Sequence, residues 1–159
     1  MENNYQLALV AYTEEYFNES TRWLNDPELK RLTNTPEEPV ADRRRWFEQL
    51  GTMADYKIWG GSCNGIPIAA CGIKNIRADE GELWGYIGEK KYWSSGFGTW
   101  GLMALEQEAM KLGLKRLYLK VLCENYKAIN LYFKLGYRIE RIADQHGYLM
   151  TKAITPTAQ

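Results

Sequence analysis

The dipeptide Asn64-Gly65 constrains this chain more than any other feature. It separates two strand-like runs, Tyr56 to Cys63 and Ile66 to Ile76. A two-residue hairpin turn whose twist matches its strands needs positive φ at both central positions, and Asn and Gly supply it. The two runs are therefore expected to pair antiparallel. A second polar turn, Arg77 to Gly81, leads into a third run, Glu82 to Gly88, so the centre of the chain reads as a meander.

The flanks read differently. Leu7 to Tyr12 is a short apolar run expected as a strand. Residues 17–33 carry Trp23, Leu24, Leu29 and Leu32 at roughly helical spacing, interrupted at Asp26-Pro27. Thr33 to Pro39 is a loop, and Val40 to Leu50 a helix with Trp46, Phe47 and Leu50 on one face and Gly51 as its stop. After the meander, Phe97 to Leu112 is predicted helical, with Leu102, Leu105, Ala109 and Leu112 on one stripe and Gly113 beyond it. Leu117, Leu119 and Val121 alternate with Tyr118 and Lys120, a strand pattern. Asn125 to Leu135 is a further helix, closed by Gly136. Tyr137 to Ile142 and Tyr148 to Ile154 form a final hairpin, and Thr155 to Gln159 is expected as a frayed tail. No repeat or linker interrupts this order, so residues 1–159 are expected as one α+β domain.

Composition narrows the function classes. Twenty Lys and Arg balance twenty Asp and Glu, so the basic excess of a nucleic-acid binder is missing, and Arg43-Arg44-Arg45 is expected as a solvated helix face. The three cysteines fit no metal spacing and are expected as reduced thiols, with Cys71 and Cys123 in apolar runs. One histidine, His146, in a polar turn, makes a zinc site or a histidine-based hydrolase unsupported. Met1 to Gln6 has no basic segment followed by an apolar stretch, and no window approaches the ~20 apolar residues of a membrane span. A cytoplasmic protein without membrane or nucleic-acid partners is expected.

The chemistry concentrates in Trp93-Ser94-Ser95-Gly96-Phe97-Gly98, between a strand and a helix. Glycines let the backbone turn several N–H groups toward one point, and the helix N-terminus adds about half a positive charge. Such a turn suits phosphate. Lys90 and Lys91 stand just upstream as candidate contacts to further phosphates. Gly96, Gly98 and Gly101 also spell the dinucleotide-binding Gly-x-Gly-x-x-Gly, with Glu124 near the position of a ribose-binding acid. That reading is rejected. The fingerprint follows its strand almost directly, whereas Glu89 to Ser95 intervene here; a meander precedes it; and too little chain follows for a doubly wound sheet.

Two motifs together resemble the acetyltransferases of the GNAT superfamily. The first is Tyr92-Trp93-x-x-Gly96-x-Gly98-Thr99, in which Trp93 stands where Gln or Arg is usual. That form is similar to a branch including ribosomal-protein N-terminal and some amino-sugar acetyltransferases. The second is Asn125-x-x-Ala128-x-x-x-Tyr132-x-x-x-Gly136-Tyr137. The resemblance spans roughly residues 56–154 and, more loosely, the N-terminal helices. It implies the GNAT fold: a mixed, mostly antiparallel sheet of six to seven strands flanked by about four helices and splayed between strands 4 and 5.

The resemblance also implies acetyl-CoA as cofactor and transfer of its acetyl group to a primary amine within a ternary complex, without a covalent acyl-enzyme. Pyrophosphate would rest on the backbone of Trp93, Ser94, Ser95, Gly96, Phe97, Gly98 and Thr99. The pantetheine arm would run beside Tyr86, Ile87 and Gly88, with a backbone N–H near Ile87 or Gly88 on the thioester oxygen. Tyr132 would protonate the leaving thiolate, and Asn125 would bond the cofactor arm, cap its helix, or both. Glu82 is the first candidate for the base that neutralises the amine, with Glu80 or a water chain as alternatives. Glu37, Glu38 and Asp42 could meet a cationic acceptor, and Trp23, Trp46 and Phe47 could wall its pocket or simply fill the core. The acceptor is open: a peptide or protein N-terminus, an amino-sugar nucleotide, a polyamine or an aminoglycoside. A homodimer is possible, and the alternative function is a non-catalytic acyl-CoA sensor.

Overall fold

The computed structural model describes residues 4–157. Its elements run β1 (Leu7–Ala11), α1 (Glu14–Leu24), α2 (Pro27–Leu32), α3 (Val40–Gln49), β2 (Lys57–Cys63), β3 (Ile66–Arg77), β4 (Glu80–Ile87), α4 (Phe97–Lys111), β5 (Arg116–Leu122), α5 (Tyr126–Lys134), β6 (Arg138–Asp144) and β7 (Gly147–Ala153). The seven strands form one sheet in the order β1-β2-β3-β4-β5-β7-β6. Every neighbouring pair is antiparallel except β4 and β5. This is the α+β architecture expected, with five α-helices among the described residues where about four were anticipated. The extra one is α2, because Pro27 starts a new helix and the Asp26 carboxylate caps it, accepting from Leu29 N at 3.1 Å.

Local rules fix the turns. Asn64 (φ 52°) and Gly65 (φ 81°) both sit in the left-handed region, as the β2–β3 hairpin demands. The β3–β4 connection is shorter than expected: β4 begins at Glu80, and Ala78 (φ 52°) turns the corner with Asp79. Two helix ends differ from expectation. Gly51 is not a left-handed stop; a 3₁₀ turn, Leu50–Thr52, continues α3 instead. Leu112 lies past the end of α4 and is exposed, while Leu114 turns inward and is buried. The tail lacks regular structure from Ile154 to Thr157, and the rest of it lies outside the described residues.

The two sheet faces differ in kind. Ile73, Leu83, Leu117, Leu119, Val121 and Met150 pack with Leu105 and Ala109 of α4 and Ile129 of α5 in the main apolar core. Tyr137 is fully buried there, its hydroxyl donating to Glu106 Oε1 at 2.9 Å, while Lys152 pairs with the same carboxylate at 3.0 Å. The opposite face is paved with glycine and aromatics. A Cβ on Gly60 would fall 2.3 Å from the Tyr16 ring, and one on Gly72 would strike the Trp84 indole at 2.6 Å. Helix α1 therefore lies close on that face. Helix α3 packs on α1, with Phe47 stacked on Phe17 at 4.7 Å.

One irregularity positions everything functional. β4 and β5 pair only at Glu80–Glu82 with Arg116–Tyr118. Beyond Glu82 the strands separate, and β4 from Leu83 to Ile87 has no partner on its β5 side.

Candidate functional site

A cleft of about 740 Å³ opens where β4 leaves β5. Its walls include Leu83 to Ile87 of β4, Leu119 of β5, the turn Trp93 to Thr99, Leu102 and Leu105 of α4, and Asn125 to Tyr132 around the start of α5. The structure thus gathers nearly all the expected cofactor residues into one cleft; Gly88 and Ser95 are outside its lining.

In the turn before α4, Ser94 (φ 62°) and Gly96 (φ 87°) take left-handed conformations. Gly96 is the N-cap of α4 and has no side chain to close the helix end, so the first-turn N–H groups face outward. The first backbone bond back to the turn is Trp100 N to Gly96 O at 3.1 Å. A Cβ added to Gly98 would meet only Leu131 Cδ2, at 3.6 Å, so the chain itself does not require glycine there. The space in front of Gly98 is free for a group that approaches the backbone closely. The Trp93 indole N–H donates to Ile87 O at 2.8 Å, and Ser95 Oγ donates to Tyr92 O, which ties the turn to the end of β4.

Lys90 pairs with Asp26 at 2.9 Å and Glu28 at 3.2 Å, its ammonium 5.7 Å from the Trp93 ring centroid. Glu89 beside it accepts from Trp23 Nε1 at 2.9 Å and from Arg22. The segment before the turn is thereby bolted to α1 and α2. These contacts, the Trp23 hydrogen bond first, hold the Glu89 carboxyl below its usual range. Lys91 lies 5.2 Å from the Tyr92 ring centroid, and a further cation at the turn is Lys127 of α5, whose ammonium donates to Ser94 Oγ. Sequence reading passed over Lys127, although a lysine in the first turn of a helix opposes the helix dipole and is itself a signal.

The main-chain donors sort by strand alternation. Gly88 N–H is already given to Ile68 O at 2.7 Å. In an antiparallel ladder alternate residues bond to the same neighbour, so the N–H groups of Ile87 and Gly85 face the β5 side, into the gap. Of the two donors expected near the thioester, Ile87 is the one free to serve.

The side chains take distinct places. Tyr132 lines the cleft, its ring 6.0 Å from Tyr137 in an edge contact, and burial raises its hydroxyl above the usual tyrosine range. Its hydroxyl makes no hydrogen bond among the described residues. Asn125 caps α5, its carbonyl oxygen accepting from Ala128 N at 3.4 Å. Glu82 is buried on the glycine-aromatic face, bonded by Asn75 at 3.1 Å and flanked by Lys74 at 3.7 Å and Lys120 at 4.0 Å. It is not part of the cleft wall. Glu80 is committed to Arg116 at 2.7 Å, and Arg116 also holds Glu140. Cys71 reaches the cleft, but burial pushes its thiol up to about 12, which leaves it inert as a nucleophile at neutral pH.

The expected acceptor residues separate as well. Trp23 is buried across Gly88, and Phe47 is stacked in the helix layer, so both fill space. Glu37 pairs with Lys30 at 2.8 Å and Asp42 with Arg45 at 3.2 Å; Glu38 is exposed. Trp46 instead joins a ring of aromatics beside β4, contacting Tyr12 and Tyr56. Among the described residues no helix is long and apolar enough to cross a membrane.

Residues 9–137 match the model of the acetyltransferase (GNAT) family. No curated protein sequence matches the chain. Among solved structures, spermidine N-acetyltransferase from Vibrio cholerae, in complex with CoA and spermine, is similar at a TM-score of 0.83 and 19% identity, covering 93% of this chain and 95% of that one. The ribosomal-protein-S18-alanine N-acetyltransferase of Escherichia coli gives 0.71 and 18%, covering 97% of each chain. The PaiA N-acetyltransferase of Thermoplasma acidophilum, in complex with coenzyme A, gives 0.71 and 18%, covering 95% and 99%. At these identities the likeness is one of fold.

Proposed function

The chain belongs to the acetyltransferase (GNAT) family, and on that premise we propose that it transfers the acetyl group of acetyl-CoA to a primary amine by direct attack in a ternary complex. The observation that carries the proposal is the uncapped start of α4 at Gly96, set at the mouth of the gap between β4 and β5. An anion cradle and an unpaired strand edge, end to end, fit the two ends of one cofactor. The form of the turn, Tyr92-Trp93-x-x-Gly96-x-Gly98-Thr99, supports the branch typified by ribosomal-protein N-terminal and amino-sugar acetyltransferases.

When bound, acetyl-CoA supplies an activated thioester. The chain supplies the rest. Amides from Trp93 to Thr99 and the Lys127 ammonium hold the pyrophosphate, and Asn125 bonds the pantetheine arm along Tyr86 to Gly88. Ile87 N–H donates to the carbonyl oxygen, where negative charge grows as the amine attacks. Tyr132 gives its proton to the departing sulfur, and its raised pKa keeps that proton available at neutral pH. Glu82, which does not line the cleft, receives the proton lost by the amine through a water chain. It is the buried carboxylate of β4 on the face opposite α4, whereas Glu80 is held in an ion pair.

Thiol release from acetyl-CoA across a panel of amines tests the proposal, with thermal shift as the binding control. Acetyl-CoA should raise Tm by linkage and NAD should not. Tight acetyl-CoA binding with no thiol release from any amine would favour a sensor instead.

A further inference from the structure

The buried apolar residues form two clusters, and α4 contributes to both: Leu105 to the larger, with Ile73 and Leu83, and Phe97 to the smaller, with Cys63 and Ile68. Gly101 stands midway between Phe97 and Leu105, one helical turn from each and so on the same helix face. That face is turned to the sheet, yet a Cβ built on Gly101 meets no packing partner within 4 Å. The core is interrupted there.

The sheet opposite is as bare. Gly85 alternates with Leu83 and Ile87, which pack in those clusters, so it lies on the α4 side. It pairs with Cys71 on β3, and Ala69, next on that face, pairs with Gly61 on β2. Gly61, Ala69, Cys71, Gly85 and Gly101 all line the same cleft that opens between β4 and β5. The cleft therefore continues from the splay, beneath α4 and across two strand spacings, about 9–10 Å, to Leu9 of β1, which pairs with Gly61.

Interiors are close-packed, and a void leaves its walls without contacts. Water does not suit this one, because it needs about two to four polar partners and the backbone groups of β2 and β3 are bonded in their ladders. Two polar side chains do border the cleft with no hydrogen bond among the described residues, the Tyr132 hydroxyl and the Cys71 thiol, and burial alone raises both. Tyr132 finds its partner in the departing sulfur. A buried thiol behaves as a small hydrophobe, so alkyl carbon suits Cys71.

Resting on the acetyltransferase reading above, we propose that the donor site takes an acyl thioester of coenzyme A longer than acetyl, with a short unbranched chain whose carbons occupy the gap beneath Gly101. With the sulfur at Tyr132 and the carbonyl oxygen at Ile87 N–H, the chain leaves the carbonyl beside Gly85 and runs over Cys71 and Ala69 toward Gly61. The transfer is otherwise the same. The C–N bond forms, the C–S bond breaks, the amine gives up a proton and the thiolate takes one, leaving an amide and free coenzyme A.

Calorimetric titration with coenzyme A, acetyl-CoA, butyryl-CoA and hexanoyl-CoA tests this, together with thiol release from each thioester across the amine panel. Affinity should rise at least about tenfold from acetyl-CoA to butyryl-CoA, since each buried methylene is worth about fourfold, and should rise again for hexanoyl-CoA. Gly101→Leu puts a side chain into the gap from the helix side. Removing glycine from a helix interior favours folding, so its Tm should not fall, while its affinity for hexanoyl-CoA should drop to that for acetyl-CoA or below. Gly101→Ala, adding one methyl, should lose part of the preference and serves if Gly101→Leu does not fold. Wild-type affinity that stays flat or falls with chain length, or a chain-length preference that survives in both Gly101 variants, would overturn the proposal and leave acetyl transfer standing. Length-dependent binding that Gly101→Leu removes, with no thiol release from any thioester, would uphold the gap and sink the acetyltransferase reading.

Discussion

The Trp23 indole lies directly on Gly88, so close that a Cβ on Gly88 would sit 2.0 Å from its ring. From that position the indole N–H reaches Glu89, the first residue of the segment leading to the anion cradle. Packing between a helix and the end of a strand thus sets where the cradle stands. Gly88→Ala must push Trp23 aside and break its bond to Glu89. We expect a loss of about 1–3 kcal/mol of stability, typical of overpacking, together with weaker acetyl-CoA binding. Thermal melts with and without acetyl-CoA check both.

Acid should loosen the same anchor. Glu89 is held below the ordinary glutamate value near 4.5, mainly by the Trp23 N–H and then by Arg22. A carboxyl whose pKa is lower folded than unfolded contributes stability that is present above the unfolded value and lost as pH falls through the folded one. Tm should therefore fall between about pH 5 and pH 3 more steeply in the wild type than in Glu89→Gln. Parallel curves for the two proteins would show that Glu89 carries no such contribution.

Gly98 separates folding from binding. Its added Cβ meets only Leu131 at 3.6 Å, so Gly98→Ala should melt within about 1 kcal/mol of the wild type. If pyrophosphate rests on this turn as proposed, the same methyl should raise the acetyl-CoA Kd at least about tenfold, the scale of one charge-assisted hydrogen bond. Calorimetric titration of both proteins decides it.

Tyr132→Phe removes a hydroxyl without a hydrogen-bond partner among the described residues, so stability should barely change. With chemistry rate-limiting, kcat should drop about a hundredfold, the scale of general acid catalysis, while the acetyl-CoA Kd stays within about twofold. Because burial raises the Tyr132 pKa, any alkaline limb of the kcat profile due to this residue must lie above the usual tyrosine value of 10. A limb near pH 8 would belong to another group.

Element order was legible because it rests on local rules. Asn64-Gly65 demanded its turn, and Gly113 and Gly136 follow their helices with φ of 81° and 99°. The turn before α4 was legible for the same reason. What escaped were partners far apart in sequence. Lys90 looks free in the sequence, yet Asp26 and Glu28 are brought to it by the docking of α2. Lys127 comes to Ser94 only because α5 packs beside the start of α4. Arg43-Arg44-Arg45 reads as three equivalent charges until α3 is laid on α1, where Arg44 pairs with Glu14 and Arg45 with Asp42 while Arg43 Nε is buried without an acceptor.

The short seam between β4 and β5 has a mechanical meaning. Three residue pairs near Glu82 and Tyr118 act as a spine, with β1 to β4 as one leaf and β5 to β7 as the other. Turning the leaves about that spine strains no ladder within either of them. The shared core of Ile73, Leu83, Leu117, Leu119 and α4 holds the leaves at one angle, so the gap stands ready-made, and amide exchange at Gly85 and Ile87 would report whether a guest fills it.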